Sequence, residues 1–186
     1  MLPLLLVVLV LIVIIGLWLV VTYNRFVTLR NRVANAWDQV SVQLKRRWDL
    51  IPNLVATVKG YAEHESKTLE GVISARNAAS VAVSGGVEAQ AAAENMLTGA
   101  LRQLFAVAEA YPDLKANQNF LSLQNELTET ENKISFSRQF YNDIVMTYNT
   151  ALQVFPGNLV AGMFGFVARP GFEIDEAQTE APQVQF

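Results

Sequence analysis

The side chains best placed to do chemistry in this chain are charges that fall where apolar residues are expected. Glu131 and Arg138 lie seven residues apart, in phase with Leu127, Ile134, Tyr141 and Tyr148. Glu65 and Arg76 fall in phase with Val58, Leu69 and Ile73, and Arg47 sits beside the stripe that carries Leu44 and Trp48. A charge withdrawn from water must be paired, because an isolated one costs several kcal/mol. The five residues Arg47, Glu65, Arg76, Glu131 and Arg138 are therefore read as a ladder of structural ion pairs that fixes helix register. A ligand or partner site on the same charges is the rival reading.

Other chemistries find few residues. There is no Cys, so neither disulfides nor thiolates are available. His64 is the one histidine, and Tyr61 stands three residues before it, so the Glu-x-x-His pairs of a di-metal bundle are missing. Flanked by Glu63 and Glu65, His64 also makes a poor partner for a nucleophilic serine. Gly85-Gly86 is not followed by the Lys-Ser or Lys-Thr of a phosphate-cradling loop. The sequence pI is about 5.2, and no aromatic-interleaved basic patch appears beyond the first helix. No nucleic-acid partner is expected. The expectation is a non-enzyme without metal or cofactor.

The element that must position everything else is Leu4 to Val21, eighteen residues without a charge. As a helix they span roughly 27 Å, close to a bilayer's hydrocarbon thickness, and in lipid only a helix satisfies its own backbone. Trp18 and Tyr23 are placed like interfacial anchors. Without a basic leader or a small-x-small site, the stretch reads as an uncleaved anchor rather than a signal peptide. Arg25, Arg30 and Arg32 follow it. By the positive-inside rule they put the N-terminus outside and the rest in the cytoplasm, in a single-pass protein of the bacterial cytoplasmic membrane. The same arginines suit anionic headgroups.

After the anchor the apolar period is 3.6 throughout, and no stretch before residue 158 alternates with period two. The expected fold is all-α: the transmembrane helix continues into an antiparallel up-and-down four-helix bundle, with an irregular C-terminal tail. The domains are 1–23 (anchor), 24–155 (bundle) and 156–186 (an apolar, then acidic, extension). Four helices are expected: one up to Leu50, a second over about Pro52–Ala82, a third over Val87–Tyr111 and a fourth over Asn117–Phe155. Ser84-Gly85-Gly86, Pro112 and Pro156-Gly157 mark the breaks. Pro52 either kinks or reverses the chain, and a reversal is the expectation.

Several stretches together resemble one family. They are Tyr23-Asn24, Leu29-Arg30-Asn31, Ala36-Trp37, Val42-Gln43-Leu44-Lys45-Arg46-Arg47 and Asp49-Leu50-Ile51-Pro52-Asn53-Leu54-Val55. Val58-Lys59-Gly60-Tyr61, His64-Glu65, Glu131-Asn132-Lys133-Ile134, Arg138-Gln139-Phe140-Tyr141-Asn142, Tyr148-Asn149 and Phe155-Pro156 follow in order. The set is similar to the LemA family of bacterial membrane proteins. The resemblance implies a helical bundle behind an N-terminal transmembrane helix, favours reversal at Pro52 and supplies no chemistry.

The end of the chain is less regular. Asn158 to Val167 is apolar, Gly-interrupted and too short to span a membrane. A fourth helix of about 39 residues, set against about 28 for the first outside the bilayer, would overhang by roughly 16 Å. That overhang would deliver Leu159, Val160, Met163, Phe164 and Phe166 to the bilayer interface or to a neighbouring subunit. A loop packed on its own bundle is the plainer reading. Glu173, Asp175, Glu176 and Glu180 then make the tail acidic, ahead of a terminus that could add to a partner as a strand. The sequence thus points to a structural or scaffolding membrane protein that self-assembles, with the lipid bilayer and further copies of itself as partners. The alternative is a regulatory module that docks another membrane protein, such as a membrane protease.

Overall fold

A computed structural model describes residues 1–173; the acidic tail and its proposed strand lie outside the described residues, apart from Glu173. Helices dominate, and among the described residues there is no strand. Helix α1 runs Leu2–Lys59, α2 Ser66–Ala82, α3 Val87–Glu109, α4 Pro112–Lys115, α5 Gln118–Gln153 and α6 Gly157–Phe164. The loop over Val83–Gly86 and the breaks at Pro112 and Pro156 stand where Gly and Pro demand them. Pro112 opens α4, where its missing N–H costs nothing. Asn117 caps α5 by accepting the Phe120 N–H at 3.0 Å, and its own amide donates to the Tyr61 hydroxyl.

Pro52 does not reverse the chain. It lies inside α1, which continues for two more turns and ends at Lys59. A proline in a helix interior removes one N–H and leaves the carbonyl four residues earlier without its partner. Here that carbonyl belongs to Trp48, and the Arg76 Nε donates to it at 3.2 Å. The defect is filled from α2, so the helix survives its proline. The reversal comes instead at Gly60 to Ala62, where α1 ends and a single 3-10 turn over Glu63–Glu65 leads into α2.

This changes the length comparison as well. From Asn24 to Lys59, α1 matches α5 in length at 36 residues, so no overhang of α5 exists.

The chain divides into two compact units. The first comprises Met1–Trp37 and Phe140–Pro170. Within it the chain runs back alongside α1: the Trp37 and Tyr141 rings are 5.3 Å apart, Phe26 lies beside Gly157, and Tyr23 meets Phe164. The second comprises Asp38–Gln139 and, of the described residues, Gly171 to Glu173. There α2 packs along α3. Its core holds Val40, Leu44, Ile51, Leu54, Val58, Val72, Leu97, Leu104 and Leu114. The expected apolar stripes are largely buried, but Phe155, the expected end of the fourth helix, lies exposed beyond the end of α5. The apolar residues from Leu2 to Leu17 are exposed, and this helix is long and apolar enough to cross a membrane.

Candidate functional site

Two constellations stand out, one in each unit. In the second unit, Arg47 is the largest fully buried side chain, 1% exposed. Its position on α1 follows from the stripe: it falls between Leu44 and Ile51, so its guanidinium enters the core and must find anions there. Glu94 of α3, 0% exposed, supplies one. Arg47 Nη1 donates to Glu94 Oε2 at 3.0 Å, and Nη2 donates to Thr98 Oγ1 at 2.8 Å. The other Glu94 oxygen, Oε1, accepts from Trp48 Nε1 at 2.9 Å and from Gln90 Nε2 at 2.8 Å. Gln90 also donates to the Ala79 carbonyl, which ties α2 to α3.

Glu131 of α5 joins from the other side, with Oε1 2.9 Å from Arg47 Nε. The carboxylate stands off the N–H direction, so the contact is an ion pair without a hydrogen bond. One guanidinium thus serves two carboxylates. Burial pushes the Glu94 carboxyl above its usual range, against the pull of Arg47, Trp48 and Gln90, and the Glu131 charge adds to the push. Burial also raises Glu131, again against Arg47.

At Glu94 this network is closed. Both oxygens of Glu94 are engaged, and the residue has no exposed surface for a substrate to approach. Its geometry serves to lock α1, α3 and α5 at one height. Among the described residues, no three His, Asp or Glu side chains converge to hold a metal ion.

Of the five charges singled out in the sequence, the structure brings Arg47 and Glu131 together. Arg76 goes to the Trp48 carbonyl and to Asn77 Oδ1. Glu65 accepts from the Tyr111 hydroxyl at 3.5 Å. Arg138 is half-buried on α5 and is also partnered. The printed contacts of Arg76 and Glu65 go to neutral groups rather than to the Arg47–Glu131 pair. Sequence reasoning missed Glu94, Gln90 and Thr98. The signal was present: Gln90 and Glu94 share a face of α3 with Leu97 and Leu101, but the surrounding alanines blur that stripe.

The second constellation lies in the first unit. Pro156-Gly157 ends the turn after α5 and starts α6. A Cβ on Gly157 would stand 3.0 Å from the Ala151 carbonyl and 3.3 Å from the Phe26 ring, so glycine lets the chain pass close to α1. Gly165, at φ 69°, is the left-handed cap of α6, and the Phe166 N–H then donates to the Ala161 carbonyl. The cap turns Phe166 back onto α1, 5.3 Å from the Phe26 ring and 5.6 Å from Tyr23, while Phe164 lies 4.9 Å from Tyr23. Arg30 Cζ stands 5.7 Å over the Phe166 ring, a cation–π distance. Val160 and Ala161 are buried; Leu159, Met163, Phe164 and Val167 are exposed. Asn149 holds the following segment, donating to the Arg169 carbonyl and accepting its N–H, and Tyr141 donates to the Pro170 carbonyl at 2.9 Å. Arg25, Arg30 and Arg32 are exposed on α1.

The LemA family model matches residues 36–186. Among similar proteins are magnetosome proteins MamQ 2 and MamQ 1 of Paramagnetospirillum magneticum, each 28% identical over 172 residues, covering 80% of this chain. Protein LemA of Metamycoplasma hominis is 29% identical over 141 residues, covering 74% of this chain. In all three the match spans 63% of the relative's own length.

Proposed function

This chain belongs to the LemA family, and from that premise we propose that it is a membrane-anchored structural protein, a helical scaffold that self-assembles at the bacterial cytoplasmic membrane. The observation that carries this reading is the use made of buried charge. Arg47, Glu94 and Glu131 are spent on joining three helices, and no open position remains on Glu94 for a substrate. A fold that invests its strongest interactions in rigid register presents surfaces well. Three of the relatives are named by the structure they belong to, the magnetosome, rather than by a reaction. The exposed Arg25, Arg30 and Arg32 support a cytoplasmic folded part and an outside N-terminus.

Size-exclusion chromatography with light scattering on the full-length protein in detergent tests the proposal. The expected protein mass is a multiple of one chain. A mass equal to a single chain at all concentrations overturns self-assembly. A stoichiometric complex with another membrane protein, such as a membrane protease, replaces it with the docking reading.

A further inference from the structure

We infer that α6 is a second membrane contact, lying in the lipid interface beside the end of the spanning helix. The inference rests on the membrane-anchored reading and adds a depth and a lipid-facing surface to it. Three independent observations converge. The first is charge: no charged residue occurs between Asp143 and Arg169, in a chain of which 17% is charged. The second is exposure: Leu159, Met163, Phe164 and Val167 turn outward, with Met163 70% exposed, while Val160 and Ala161 take up the buried face. An eight-residue helix with apolar residues on both faces has no side suited to water.

The third observation is depth. The Phe164 ring packs on Tyr23 at 4.9 Å. Tyr23 lies two residues past Val21, where the apolar run ends, about 3 Å along the helix. Phe164 is therefore held at the rim of the span. Leu159 is five residues from Phe164, about 8 Å along α6. Helices that lie in an interface bury their apolar face by about 5–10 Å. Gly157, at the other end of α6, lies against the Phe26 ring, five residues past Val21 and about 8 Å along the helix, so both ends of α6 stay within that layer.

The surroundings fit the same partner. Tyr23 is the aromatic type that favours the headgroup level, and the exposed Arg25 and Arg30 would meet anionic headgroups there. Arg30 also covers the Phe166 ring, so the latch that sets the depth of α6 ends in a cation on the water side. A second copy of the chain is the rival occupant of the exposed face. The continuity of that face with the lipid-facing surface of α1 favours lipid.

The chain contains no cysteine, so single spin labels can be placed cleanly. Met163→Cys and Leu159→Cys would be labelled in the full-length protein, reconstituted into phosphatidylcholine vesicles containing phosphatidylglycerol. Leu9→Cys reports the span, and Phe136→Cys reports an exposed residue of the second unit. Collision with oxygen, which partitions into lipid, is compared with collision with a water-soluble nickel chelate. The expected result is oxygen access above nickel access at 159, 163 and 9, and the reverse at 136. Nickel access at 163 equal to that at 136, with 9 still in lipid, overturns the inference and leaves the anchor standing. Shielding of 163 from both reagents, with dipolar broadening between labels, overturns it in favour of a second copy. Nickel access at 9 overturns the anchor itself.

Discussion

The two units of this molecule are held by opposite means. In the second, a guanidinium and the Glu94 carboxylate are driven into the interior and paired there, with the half-buried Glu131 joining from the side. In the first, rings meet rings: Tyr23, Phe26, Trp37, Tyr141, Phe164 and Phe166 pack at centroid distances of 4.9–5.6 Å, assisted by neutral hydrogen bonds from Asn149 and Tyr141. The difference teaches what each solution is good for. Apolar helix faces can slip by a turn and still bury grease, so a buried charge that fits only one register removes the alternatives. Next to a span, the solvent is no longer water on every side. There a carboxylate would cost more than it could specify, whereas an aromatic edge keeps its value.

The largest break in this comparison is expected from Arg47→Leu. It strands the Glu94 carboxylate in the core and should cost about 3–5 kcal/mol in a denaturant melt followed by circular dichroism. Glu94→Gln should cost clearly less, since the neutral amide keeps its size and leaves Arg47 its partner Glu131. Equal losses for the two variants would mean that packing, not charge, holds the second unit.

A smaller effect sharpens the same point through pH. The folded protein holds the Glu94 proton above the ordinary value of 4.5, so the folded form binds protons that the unfolded chain releases. Stability from this group is full below 4.5 and falls as pH rises through the folded value. Melts of the parent and Glu94→Gln between pH 7 and 4.5 should show the parent gaining on the variant as pH falls. A constant gap would show that Glu94 titrates no differently in the fold.

The smallest effect belongs to the first unit. Phe166→Leu removes ring contacts with Tyr23 and Phe26 and the face beneath Arg30. The expected loss is about 0.5–1.5 kcal/mol, read as a lowered melting midpoint and faster protease cleavage near residue 165. A loss as large as that of Arg47→Leu would erase the contrast between the units.

Much of this arrangement could be read from the chain before folding. The helix long and apolar enough to cross a membrane shows itself by length and the absence of charge. The breaks at Gly85-Gly86, Pro112 and Pro156-Gly157 show themselves because those residues act locally. Helix α1 was misjudged at Pro52 because its rescue is not local: the donor to the Trp48 carbonyl comes from Arg76, 28 residues away. Glu94 was missed for a related reason. Alanine is equally at home on a buried or a wet face, so the Ala-rich α3 hides which of its polar residues point inward. Glu131, among larger apolar neighbours, was visible. Helix α6 itself was not expected: residues 158–167 read as a Gly-interrupted apolar stretch carried by an overhang of α5 that equal helix lengths remove, and nothing in the spacing signalled the contact of Phe164 with Tyr23.

The donation from Arg76 to the Trp48 carbonyl makes positions 52 and 76 a linked pair in the history of such sequences. Alanine at 52 would restore the missing N–H, after which residue 76 would be free to become anything that α2 tolerates. The opposite order strands a carbonyl first. Related chains with proline at 52 should therefore keep a long donor at 76, and those that have lost the proline should show no such constraint.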